Sequence, residues 1–137
     1  FEYVGPDRLQ WTTEQLAFAN DLLNELPGKY RMRSGSKAQK TKIYRPGLLR
    51  QLLTDPSEAA DSESILPSVH RHFSVIEEKN MGWNIIHLLL KDISHNFLSS
   101  DEETVSLLRY LFEQEDIFMA RTGESDAVFG VYRKSRT

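Results

Sequence analysis

Cysteine is absent from this 137-residue chain, which excludes a disulfide scaffold and a thiolate-held metal. Long apolar runs are absent too, and none approaches the roughly 18–20 residues that a membrane-spanning helix needs. No internal repeat or low-complexity tract interrupts the sequence. The chain opens on Phe1, without a methionine or a signal-peptide pattern, and so reads as a piece of a longer protein. Its length suffices for one domain but is short for two. Apolar residues at 39% and charged residues at 27% give the balance of a globular chain rather than a disordered one. These exclusions leave the expectation of one soluble, intracellular domain.

The motifs of catalysis are also missing. There is no G-x-x-x-x-G-K-[ST], no G-x-S-x-G and no H-E-x-x-H; Gly35-Ser36-Lys37 lacks the spacing of a phosphate loop. His70 and His72, two apart on an expected strand, would face the same side. Two imidazoles do not complete a zinc site, and no third ligand stands at a recognisable spacing. His87 and His95 fall within an expected long helix and read as structural or surface histidines. The expectation is a protein that is not an enzyme and uses no cofactor or metal.

Acids are missing from one stretch. Between Lys29 and Arg50 lie eight basic residues (Lys29, Arg31, Arg33, Lys37, Lys40, Lys42, Arg45, Arg50) and no Asp or Glu. With that +8 set apart from the net charge of −3, the rest of the chain carries −11. A lysine- and arginine-rich loop is commonly no more than a solvated surface. Here the single sign over such a length, with Tyr30 and Tyr44 beside it, favours attraction of a polyanion.

The periodicity predicts a first helix over 13–26, opened by the capping-box pair Thr12 and Gln15 and stopped by Pro27-Gly28. Residues 31–42 have no apolar period and read as a weakly ordered loop. A short helix is expected over 46–53, then an acidic surface insertion over 55–64. Residues 71–76 read as a strand with Phe73 and Val75 on one face. A buried helix is expected over 84–98, and another opens at the Ser100/Glu103 capping box with a stripe of Val105, Leu108, Leu111 and Phe112. The tail reads as a hairpin, 117–121 and 127–132 around Gly123. Trp11 and Trp83 read as core aromatics. Together these elements predict an α+β, winged-helix-like domain over 1–137, helices packed on a small antiparallel sheet with a C-terminal β-hairpin, a basic loop over 29–45 and the acidic insertion over 55–64. The helix before the hairpin carries six acids against Arg109, which argues against its reading a DNA groove.

The order of these features resembles a known family. Arg8-Leu9-Gln10-Trp11-Thr12-Thr13-Glu14-Gln15-Leu16, Asn20 and Lys29-Tyr30 are similar to the opening helix of the microtubule-binding C-terminal domain of the Ska complex's first subunit, among the spindle and kinetochore-associated proteins. Arg71-His72-Phe73-Ser74-Val75-Ile76-Glu77 resembles that family's strand, and Val105 to Leu111 resembles its last helix. Arg121-Thr122-Gly123 and Val131-Tyr132-Arg133 resemble its wing. The resemblance implies a winged helix that binds tubulin through dispersed cations and couples chromosomes to spindle microtubules at the kinetochore. Family contact positions carry over to Arg8, Lys37, Arg109 and Arg121, with Lys40 and Lys42 in the same loop. Lys29, Arg31, Arg33, Arg45 and Arg133 complete the expected set. Other Ska subunits would join through a region absent from this chain, and no membrane is expected as a partner. Two rivals stand beside this reading. One is a nucleic-acid-binding winged helix using the basic loop with Arg121, Arg133, Lys134 and Arg136, which the acidic helix disfavours. The other is a protein-interaction domain working through its acidic faces.

Overall fold

The computed structural model describes residues 2–134. Along the chain come β1 (Glu2–Tyr3), α1 (Thr13–Glu25), α2 (Leu48–Thr54), α3 (Ile65–His72), β2 (Phe73–Gly82), α4 (Ile86–Leu90), α5 (Glu102–Thr122) and β3 (Ala127–Lys134), joined by short 3-10 turns. The fold is α+β: helices with a small antiparallel sheet in the order β1-β3-β2.

Helix α1 begins where the sequence places it. The Thr12 hydroxyl accepts from the Gln15 backbone N–H at 3.1 Å, and the Gln15 side chain accepts from the Thr12 N–H at 2.8 Å. The helix buries Ala19, Leu22 and Leu23, spaced for one face, and stops before Pro27, which has no N–H to give. These residues pack with Trp11, Tyr30, Ile85, Leu88, Leu89, Ile93, Phe97, Leu111 and Phe118 as one core.

The expected helix over 84–98 is divided. Helix α4 ends at Leu90, Asp92 takes a left-handed φ of 68°, and a 3-10 turn covers Ser94–Phe97. The cause lies in two side chains from elsewhere. At the start of α4 the Glu115 carboxylate accepts from the N–H groups of Asn84, Ile85 and Ile86 at 2.7–2.8 Å. At its end the Lys40 ammonium donates to the carbonyls of Leu88, Leu89 and Lys91 at 2.8–3.0 Å. Those carbonyls would otherwise need the next helical turn. With a lysine serving them, the chain is free to reverse.

The expected hairpin is likewise corrected. Residues 117–121 are the final turns of α5, because Phe118 lies seven positions after Leu111 on the buried stripe and no breaker precedes Gly123. Gly123 ends the helix at φ 73°, its N–H donating to the Met119 carbonyl at 2.8 Å. At the other end the cap is Asp101, accepting from Thr104 N–H at 2.9 Å, rather than Ser100. β3 therefore pairs not with the preceding segment but with β1 and the distant β2.

Residues 71 and 72 end α3 rather than begin a strand, so His70 and His72 lie in a last helical turn. The 55–64 insertion reaches the core edge at Ser62, whose hydroxyl donates to the Gly5 carbonyl at 2.8 Å. β2 runs to Gly82 with bulges between Val75 and Glu77 and between Asn80 and Gly82. Gly82 sits at φ 75°, and a Cβ there would come 3.0 Å from Glu115 Oε1. Helices α3 and α5 touch β2 but leave most of it exposed: Phe73 and Val75 share a face and are exposed, contrary to the expected covered sheet. Trp83 is 47% exposed, not a core residue.

Removing the Glu115 carboxylate strands three N–H groups at the start of α4, each costing about 1–3 kcal/mol if buried and unpaired. Glu115→Ala is expected to lower unfolding free energy by at least ~3 kcal/mol, and urea denaturation measures it. A loss under ~1 kcal/mol would remove Glu115 from this role.

Candidate functional site

The basic stretch is more ordered than its composition implies. Met32 bridges Gln39, Arg33 N–H donates to the Ala38 carbonyl at 2.9 Å, and Gly35 makes the tip at φ 70°. Asn96 holds the base of this turn, donating to the carbonyls of Tyr30 and Met32 at 3.1 and 2.7 Å. Further on, Asn20 of α1 pairs with both backbone groups of Ile43, at 2.8 and 3.1 Å. Arg45 is fastened by Nε to the Trp11 carbonyl at 2.6 Å and by its guanidinium to the Thr13 hydroxyl at 2.9 Å. The stretch is a strap laid across α1 and the end of α4, leading into α2.

Beneath the strap opens a cleft of about 520 Å³. Six cations line it (Arg33, Lys40, Lys42, Arg45, Arg50 and Lys91) against two acids, Glu58 and Asp92. Leu9, Trp11, Ile43 and Leu88 supply its apolar wall. Tyr44 is 68% exposed, with the Lys42 ammonium 5.3 Å from its ring centre. The polar lining is one of donors and charges. It suits the holding of anions, several at once, along an open groove.

Lys40 differs from its neighbours. It is 4% exposed, and its three ammonium protons go to backbone carbonyls, so it cannot serve as an external contact as expected. Burial pushes its pKa down to about 8, with Arg33 and Lys91 acting in the same direction and Asp92 opposing.

The other expected contact residues are scattered. Arg8 donates to the Pro56 carbonyl at 3.0 Å. Lys29 is paired with Glu103 at 2.6 Å, an interaction that holds its proton more tightly than usual. Arg121 meets Glu14 at 2.8 Å and lies over the rings of Phe18 and Phe118. Arg31 is half-buried, while Lys37, Arg109 and Arg133 are exposed; none of these seven lines the cleft. The structure thus joins Arg33, Lys42 and Arg45 with Arg50 and Lys91. Lys91 falls in the middle of the helix expected over 84–98, and only the ending of α4 at Leu90 brings it to the cleft. Arg136 lies outside the described residues.

Two of the histidines have partners within the fold. His70 Nε2 meets the Glu78 carboxylate at 2.6 Å, and His87 sits edge-on to Trp11 and near Trp83 and Tyr3. Burial pushes the His87 pKa down to about 4. Among the described residues no group of three or more His, Cys, Asp or Glu is placed to hold a metal ion, and no helix is long and apolar enough to cross a membrane.

No family model, no curated protein and no solved structure matches this chain.

The depressed pKa of Lys40 carries a sign. Between about pH 8 and the ordinary lysine value of about 10.4, the unfolded chain binds a proton that the folded chain has released, so stability from this group rises with pH. Below that window the cost of burying the charge is present in full. Stability of the parent relative to Lys40→Met is therefore expected to increase from pH 8 to pH 10 in urea titrations, by about 2 kcal/mol. A flat difference would show that the ammonium is not desolvated.

Proposed function

We propose that this domain is a non-catalytic binding module that holds an acidic polymer along its basic cleft. The observation that carries this reading is the convergence of Lys42, Arg45, Arg50 and Lys91 in one open groove, beside Arg33, which is paired with Asp92 at 3.5 Å, and the inward-turned Lys40. Binding draws on many modest contacts, since an exposed ion pair contributes only about 0–1 kcal/mol. Such contacts are replaceable one by one, which suits a surface that must stay attached while its partner remodels, more so with several tethered copies.

The resemblance to the Ska microtubule-binding domains supports tubulin as the acidic partner and a place at the kinetochore and spindle. On this reading the fold is winged-helix-like, with the β2–β3 ribbon in the place of the wing. Contact is concentrated on the cleft residues Arg33, Lys42, Arg45, Arg50 and Lys91, and the exposed Lys37, Arg109 and Arg133 add weaker steering from outside it. A second reading, single-stranded nucleic acid, draws on one observation. The exposed Tyr44 ring beside Lys42 is a stacking platform next to phosphate-attracting charge.

Microtubule pelleting over a salt series is expected to show binding that falls steeply with ionic strength. Lys42→Glu/Arg50→Glu should abolish most of it, whereas Lys29→Glu, outside the cleft, should leave it within a few-fold of the parent. Equal pelleting by the cleft variant rejects the site. Retained pelleting by Tyr44→Ala, with no binding of a labelled oligonucleotide by either protein, rejects the nucleic-acid reading.

A further inference from the structure

Helix α2 is turned the wrong way for a core element. Gln51 is its buried residue, and both of its amide atoms lack a hydrogen-bond partner among the described residues. Its leucines face outward: Leu49 is 72% exposed and Leu53 79%, with Leu48 and Leu52 also exposed. An amphipathic helix that buries its amide and shows four leucines to water has its apolar partner elsewhere.

A second apolar surface lies on the far side of α4. Leu88 of α4 lines the basic cleft against which α2 sits, whereas Ile86 and Leu90 line a separate groove of about 330 Å³. Met81, Trp83, Phe112 and Met119 complete its apolar lining. The two surfaces differ in charge. Helix α2 carries Arg50 and no acid. The groove is lined by Asp116, Glu115 and His87 and by no Lys or Arg; the Glu115 carboxylate is spent on the start of α4, and Glu113 is exposed beside Phe112. Neither Asp116 nor Glu113 has a hydrogen bond or ion pair among the described residues.

We propose that the leucine face of α2 in one copy seats in the α4–α5 groove of a second copy, with Arg50 of the first set against Asp116 of the second. The leucines at positions 49 and 53 are one helical turn apart and form the ridge that enters the groove. Because the two patches are different surfaces of the same chain, the contact is heterologous: the first copy keeps its groove free and the second its ridge, and assembly proceeds to rings or filaments rather than stopping at a two-fold dimer. The rival occupant, a different protein carrying a basic leucine-rich helix, is an outcome of the test.

The test is the light-scattering mass of this chain, without any polymer, over a concentration series at low salt. The parent mass is expected to rise with concentration beyond that of a dimer. Leu49→Asp/Leu53→Asp and Phe112→Asp should each stay monomeric with the circular dichroism of the parent. Mixed in equal amounts, they should give a one-to-one dimer and nothing larger, since together they hold one intact ridge and one intact groove. A parent that is monomeric throughout overturns the proposal and leaves the surfaces to another protein. Variants that fail to complement on mixing overturn the heterologous contact. Should an aspartate on α2 unfold it, the charge pair still decides: Arg50→Asp should weaken assembly a few-fold, and adding Asp116→Arg to the same chain should restore it. No restoration overturns the pairing.

Discussion

The structure depends on how a five-residue helix is held at both ends. Helix α4 is too short to sustain itself, since most of its N–H and carbonyl groups lie within one turn of a terminus. The Glu115 carboxylate of α5 takes three N–H groups at its start, and the Lys40 ammonium takes three carbonyls at its end. Negative charge stands at the amino end and positive charge at the carboxyl end, the sense favoured by the helix dipole. Ile85, Leu88 and Leu89 are thereby fixed in the centre of the core. The lysine also anchors the basic strap, so the same clamp that orders α4 determines where the surrounding cations stand.

That arrangement gives α4 two working sides. One side, with Leu88 and the following Lys91, meets the strap and walls the basic cleft. The other, with Ile86 and Leu90, faces α5 and forms the apolar groove. The cations of the strap therefore divide by role. Lys40 is consumed in fastening the backbone, Arg45 is fixed by two neutral partners that leave its charge in place, and Lys42 and Arg50 line the cleft. The long edge strand β2 is protected differently. Its two bulges and the central Glu77, Glu78 and Lys79 break the flat apolar edge that invites strand addition.

Local signals were legible where the energy is local. The Thr12/Gln15 box, the Pro27 stop and the apolar spacing of Ala19, Leu22 and Leu23 placed α1 to within a residue. The core role of Trp11 was readable too, and the helix expected over 46–53 begins two residues later, at Leu48 after Gly47, and runs to Thr54. The signal failed where a remote side chain competed with the local pattern. Ile85, Ile86, Leu89, Ile93 and Phe97 have helical spacing, and nothing nearby announces that Lys40, some fifty residues earlier, will cut that helix short. Residues 117–121 have strand-like composition, but the Leu111-to-Phe118 stripe on one core extends the helix through them. Of the expected cations, charge alone could not separate Lys40, which turns inward, from Lys42, which does not.

The sequence by itself determined the α+β composition, the first helix, the scarcity of catalytic motifs and the presence of an acid-free basic stretch. These follow from composition, capping and short-range periodicity, which act within a turn or two of chain. Only the tertiary structure decided which cations share a cleft, that the leucines of α2 point outward, and that β3 pairs with a strand more than forty residues away. Those outcomes rest on hydrogen bonds and contacts between segments far apart in sequence, whose partners become neighbours only once the core has closed.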